Sequence, residues 1–121
     1  MGKIIEKDKL EELLKVLRAK KKIIVATNGC FDILHVGHVR YLKKSKTFGD
    51  VLIVGLNSDK SVRSIKGEGR PINNENDRAE VLCALECVDY VILFDEDSPK
   101  DLLEIIKPNI YTKGADYTLK T

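Results

Sequence analysis

Long hydrophobic runs are missing from this sequence. No stretch approaches the roughly 18 consecutive apolar residues that a membrane-spanning helix needs. The opening segment, MGKIIEKDKL, carries no apolar signal-peptide core. A cytoplasmic protein with no membrane partner is therefore expected. Cysteine is scarce as well, with only Cys30, Cys83 and Cys87. An odd count at this spacing builds no disulfide framework and suits reduced thiols. Cys83 and Cys87 are four apart, on one helical face, and read as small buried side chains. A zinc site would ask for Cys-x-x-Cys spacing and two further ligands, so no protein metal ligand is expected. Charge of one sign is also lacking: 21 Lys and Arg stand against 19 Asp and Glu. With no long basic run, nucleic acid is not an expected partner. Lys20–Lys22 reads as a solvated helix end. Repeats and low-complexity linkers are absent too.

What remains is a chain of 121 residues, 43% hydrophobic and 33% charged, enough for one domain with one core. Leu10, Leu13, Leu14 and Leu17 have helical spacing and predict a first amphipathic helix over Lys9–Leu17. KIIVAT (Lys22–Thr27) and DVLIVGL (Asp50–Leu56) are continuous apolar runs, as buried parallel strands are. VDYVILF (Val88–Phe94) and NIYTKG (Asn109–Gly114) predict a third and a fourth strand. Between them come a helix over Val39–Thr47 starting near Gly37, a short helix around Ser61–Ile65, and a helix capped by Asn74 or Asn76. A last helix is expected after a Ser98 cap, with Pro99 at its first position and Pro108 ending it. Alternating strands and helices imply an α/β fold: a Rossmann-like parallel sheet with helices on both faces. Ligands in such sheets bind at strand carboxyl ends, where strand order reverses.

The loop after the first predicted strand is NGCFDILHVGH (Asn28–His38), and it holds both histidines of the chain. Metal binding by His35 and His38 is a poor fit, because i, i+3 spacing across a loop-to-helix junction makes a weak clamp. A phosphate cradle accounts for more residues. Backbone N–H groups and the positive end of a helix attract an anion. Gly29 would let the backbone approach a ligand, and Gly37 would let the helix pack beneath it. Imidazole N–H groups aimed at the same place would hold phosphate oxygens as charge builds.

GCFDILHVGH resembles the G-x-F-D-x-x-H-x-G-H signature of the cytidylyltransferase-like nucleotidyltransferases. RYLKKSKTFGDVLIVGLNSD is similar to that family's next helix and strand. RPINNENDRAEVLCALECVDYVILFDED and KGADY resemble one branch, the ADP-heptose synthases. The resemblance runs from about Ile24 to Tyr117 and implies a nucleotidyltransferase-type fold. It implies transfer of AMP from ATP to D-glycero-β-D-manno-heptose 1-phosphate, with release of pyrophosphate. His35 and His38 would be the catalytic phosphate donors. Asn28, Gly29, Cys30, Phe31 and Gly37 would line the nucleotide site, with Lys113 and Gly114 from KGADY. Asp32 would touch the acceptor or merely cap a turn. Lys46 would meet substrate phosphate as a catalytic cation or be one of several solvated lysines. Arg78 would bind substrate or pair with a surface acid such as Glu75. The resemblance also implies Mg2+ carried in by ATP, and a homodimer.

Residues 1–121 are expected to form a single nucleotidyltransferase domain lacking the strand and helix that follow KGADY in relatives. Other acceptors fit the same chemistry: a cytidylyltransferase for glycerol 3-phosphate or ethanolamine phosphate, or an FAD synthase. A catalytically silent nucleotide-binding module is the non-enzyme alternative.

Overall fold

The computed structural model describes residues 1–113 and the backbone of 118–120. Helix α1 (Lys7–Ala19) buries Leu10, Leu14 and Leu17, spaced to fall on one stripe. At its end the Arg18 guanidinium donates to the Ile106 and Lys107 carbonyls of a later helix. Strand β2 (Ile24–Gly29) leads through the signature loop into α2 (Val36–Lys46). β3 (Val51–Asn57) is buried along its whole length, as its unbroken apolar run requires. Ser58 caps α3 (Asp59–Lys66), and Asn74 caps α4 (Glu75–Cys83), in each case by accepting a backbone N–H. Of the two cap candidates before α4, the structure uses Asn74. β4 (Tyr90–Phe94), α5 (Lys100–Ile106) and β5 (Ile110–Lys113) complete the predicted series. Pro99 precedes α5 rather than opening it, and Ser98 Oγ accepts from Lys100 N at 3.2 Å. Lys107, in the left-handed conformation, closes α5 just before Pro108.

Two strands escape the sequence pattern. β1 (Lys3–Ile4) pairs parallel with β4, and β6 (Thr118–Lys120) pairs antiparallel with β5. The six-stranded order is β1-β4-β3-β2-β5-β6. All other pairings are parallel, with Ile24 opposite Val51 at one end of the β2–β3 ladder and Gly29 opposite Leu56 at the other.

Side chains alternate between two apolar layers. Val25, Leu52, Val54 and Val91 face α2 and α4 through Tyr41, Leu42, Ala79 and Leu82. Ile24, Ala26, Ile53 and Ile92 face α1 and α5 through Leu10, Leu14, Leu102 and Ile106. Helices therefore cover both faces, the doubly wound arrangement expected. Each fully buried Leu or Ile contributes about 1.5–3 kcal/mol. After β2 the chain builds β3 and β4 on one side, then returns to place β5 on the other. The order reverses between β2 and β5, and that is where such sheets hold ligands. Among the described residues no helix is long and apolar enough to cross a membrane. Cys83 belongs to the core, whereas Cys30 and Cys87 are half-buried, and all three are free thiols.

Candidate active site

The signature loop folds so that its two histidines cap the helix they begin. His35 is the N-cap of α2, and its Nδ1 accepts the N–H of Gly37 at 3.0 Å. His38 Nδ1 in turn accepts the N–H of His35 at 3.2 Å. This is a capping box built from two imidazoles. A ring nitrogen that accepts a hydrogen bond carries no proton, so the proton of each neutral ring sits on Nε2. The rings stand 4.1 Å apart, tilted by 39°. His35 is exposed and His38 half-buried, which leaves two Nε2–H donors at the start of a helix. Burial, then the neighbouring His35, holds the His38 pKa below its ordinary 6.5.

The glycines serve these rings. A Cβ on Gly37 would lie 2.7 Å from His35 Cε1, so any side chain there displaces the capping imidazole. The expected role of Gly37, helix packing, is thus replaced by room for a ring. A Cβ on Gly29 would meet the Phe31 ring at 2.8 Å. Phe31 adopts a left-handed φ of 46° and turns its buried ring edge-on to His38, 5.5 Å between centroids. Backbone strain of this kind collects at functional loops.

Asp32 ties the loop to the segment before α4. Its carboxylate accepts from the N–H groups of Ile72 (2.8 Å) and Asn73 (2.8 Å) and from Arg70 Nη1 (3.2 Å). Burial pushes this carboxyl up, but the Asn73 and Ile72 amides and the Arg70 guanidinium outweigh it, and its pKa lies below the usual value. Asp32 is therefore a latch between two loops, closer to the turn-capping alternative than to an open acceptor contact.

Arg78, expected to bind substrate or to pair with a surface acid, forms an ion pair and also lines the second cleft described below. The side chain is buried, at 2% exposure. Nε donates to the Asn73 carbonyl, Nη1 to those of Cys30 and Asn57, and Nη2 to Asp59 Oδ1 at 2.7 Å. It pins the signature loop, the end of β3, the start of α3 and the loop before α4 to one another. It pairs with Asp59 rather than with Glu75, whose carboxylate instead accepts the Asp59 N–H. The Cys30 carbonyl is spoken for by Arg78, while burial raises the Cys30 thiol pKa against the nearby Lys66 and Arg78 charges.

Lys46 is not brought to the site. It ends α2, an 11-residue helix, about 15 Å from the histidines at 1.5 Å per residue. There its Nζ contacts Asp89 Oδ2 at 2.5 Å, and the same oxygen accepts the Leu52 N–H. The geometry makes it a strut at the amino edge of the sheet. The reason is simple: a helix that starts over strand carboxyl ends must finish over their amino ends.

Asn28 and Lys113 line a cleft of about 640 Å³ at the β2–β5 switch point, with Ser98, Lys100, Leu103 and Tyr111. The Tyr111 hydroxyl donates to Asn28 Oδ1, and burial raises its pKa. Tyr111 lines this cleft and is not among the residues expected from the sequence. The signal for it is β-strand alternation, since Tyr111 and Lys113 share a face of β5 and Ala26 pairs with Tyr111. Gly114, also assigned to the nucleotide, lies outside the described residues. A second cleft, of about 490 Å³, opens on the other side of the signature loop, where Phe31, Asp32, Leu34 and Asn73 face Val81 of α4. Among the described residues no cluster of His, Cys, Asp or Glu could hold a metal ion.

A family model described as cytidylyltransferase-like matches residues 26–121. A bifunctional protein HldE of Geobacter metallireducens is 56% identical over 117 residues, covering 97% of this chain and 24% of that protein. A bifunctional protein HldE of Campylobacter fetus subsp. fetus is 57% identical over 111 residues, covering 92% and 24%. This chain thus spans about a quarter of the length of these curated relatives. Among solved structures, a lipopolysaccharide core biosynthesis protein from Thermoplasma volcanium superposes with a TM-score of 0.69 at 40% identity, over 75% of this chain and 73% of that one.

Proposed function

The chain belongs to the cytidylyltransferase-like family, and from that premise we propose that it is a nucleotidyltransferase domain that transfers AMP from ATP to D-glycero-β-D-manno-heptose 1-phosphate. The acceptor's phosphate oxygen attacks the α-phosphorus. The bond from that phosphorus to the bridging oxygen of the β-phosphate breaks, and ADP-heptose and pyrophosphate are released. The nucleophile is already ionised at neutral pH, so no side chain has to remove a proton. Charge neutralisation and alignment are then the main contributions a protein can make. The observation that carries this reading is the histidine pair. Two neutral imidazoles, each fixed through Nδ1, offer Nε2–H donors beside a helix N-terminus. Such donors stabilise charge on phosphate oxygens without reorganising. Magnesium enters with the substrate, held mainly by phosphates and water. The nucleoside end of ATP suits the Asn28–Tyr111–Lys113 cleft, at the switch point of the sheet. The heptose acceptor rests on the branch resemblance and on the lipopolysaccharide role of the Thermoplasma relative.

Pyrophosphate release, with magnesium, the heptose 1-phosphate and either ATP or CTP, tests this. Release with ATP is expected, with a strong preference over CTP. Release with CTP alone would make the chain a cytidylyltransferase. No release with either nucleotide, while both bind, would favour the silent module.

A further inference from the structure

We propose that Arg70, which carries no assigned role, is the residue that receives the acceptor's phosphate monoester, with Asp32 as its holding partner. The inference rests on the nucleotidyltransferase reading and adds a specificity residue to it. The segment before α4 and the helix itself contain two arginines, and the structure gives them opposite situations. Arg78 is buried and commits four of its five N–H donors to protein partners, which leaves one for a ligand and no free two-donor fork. Among the described residues the Arg70 side chain makes one hydrogen bond, from Nη1 to Asp32 Oδ2 at 3.2 Å, and it is 43% exposed. A guanidinium has five N–H donors, and the bond to Asp32 uses one of those of Arg70.

The partner is equally telling. Asp32 does not depend on Arg70 for satisfaction, because the Ile72 and Asn73 amides already donate to it at 2.8 Å each. Its side chain is only 7% exposed, so it is a fixed anchor, whereas Arg70 is a long cation resting against it. A phosphate dianion offers the guanidinium two parallel charge-assisted bonds, more than the single long contact it would give up. Position supports the same occupant. Asp32 lies three residues before His35, and Phe31, between Asp32 and the Gly29 turn, packs on His38. Asp32 also lines the 490 Å³ cleft beside the loop, away from the Asn28–Tyr111–Lys113 cleft assigned to ATP. The acceptor and the nucleotide would thus approach the histidines from the two sides of the signature loop. Gly67 and Gly69, with φ of 93° and 88°, precede Arg70 on open backbone, where a Cβ would meet nothing within 4 Å.

The test titrates the intact chain and its Arg70→Ala and Arg70→Lys variants by calorimetry, using the heptose 1-phosphate and magnesium ATP separately, and follows turnover with both. Arg70→Ala is expected to weaken acceptor binding and raise the acceptor KM at least tenfold, with ATP affinity within twofold of the unmodified chain. Arg70→Lys should recover part of the loss, since it keeps the charge and loses the fork. An exposed residue with one long contact should cost little stability, and equal melting temperatures check that. Unchanged acceptor affinity in Arg70→Ala overturns the proposal, as does a loss confined to ATP. If the unmodified chain ignores the heptose phosphate but uses another phosphate ester, the heptose reading fails. Arg70 is then judged by the same tenfold criterion on that ester.

Discussion

Both imidazoles of the signature accept a backbone N–H through Nδ1, and that single fact makes the site sensitive to acid. Protonating either ring puts a hydrogen on Nδ1 and ends its capping bond. For His38 the folded state disfavours the proton, since burial and the adjacent His35 lower its pKa. The unfolded chain, with the ordinary value near 6.5, then binds the proton more readily. The stabilising contribution is complete above about pH 6.5 and is lost as pH falls through the lowered folded value. Turnover should be level from about pH 8 down to about 6.5 and decline below the His38 pKa. With only two histidines in the chain, two ring resonances report the titration directly. A His38 resonance that titrates above about 6.5 would mean a charged ring in the resting site and would defeat this account. Gly37 belongs to the same scale, because the space beside His35 Cε1 is what allows the cap to form.

Helices and strands carry their own consequences, and two cations show the contrast. Arg78 joins four segments from a buried position. Replacing it by Met strands the Cys30 and Asn57 carbonyls, which should cost on the order of 3 kcal/mol. Lys46 and Asp89 are each about a third exposed, so solvent screens their pair, and Lys46→Ala should cost about 1 kcal/mol or less. Urea unfolding measures both. Lys46→Ala should also leave the KM of each substrate unchanged, and a raised acceptor KM would return Lys46 to the site. Strands β2 to β5 are legible in the sequence because buried parallel strands are continuous apolar runs. β1 has two exposed residues, Lys3 and Ile4, with no pattern to read. The histidine loop is legible because its chemistry is contiguous. The partners of Lys46, Arg70 and Arg78 are not, since Asp89 is 43 positions from Lys46 and Asp32 is 38 from Arg70. Ion pairs of that separation depend on how the sheet is ordered, and local pattern does not encode it.

At the scale of the whole molecule, the site is assembled from segments that the chain visits far apart. The signature loop follows β2, Arg70 and Asn73 come before α4, and Tyr111 and Lys113 come from β5. A ligand touching these parts binds only the folded domain, and its binding energy appears as stability of the entire cooperative unit. At a concentration about 100 times its dissociation constant, a nucleotide should add about 2.7 kcal/mol. A domain of this length has an unfolding entropy near ~0.25 kcal/mol/K, so the melting temperature should rise by about 10 °C. Magnesium ATP should produce this shift in the unmodified chain and also in Arg70→Ala, because Arg70 is assigned to the acceptor. Tyr111→Phe, which removes the hydroxyl bonded to Asn28, should reduce the ATP-induced shift, and adding the heptose 1-phosphate to the unmodified chain should extend it. An ATP shift that Tyr111→Phe leaves whole, but that Arg70→Ala removes, would exchange the two clefts: the nucleotide would lie on the Asp32 side of the loop and the acceptor at the β2–β5 switch point.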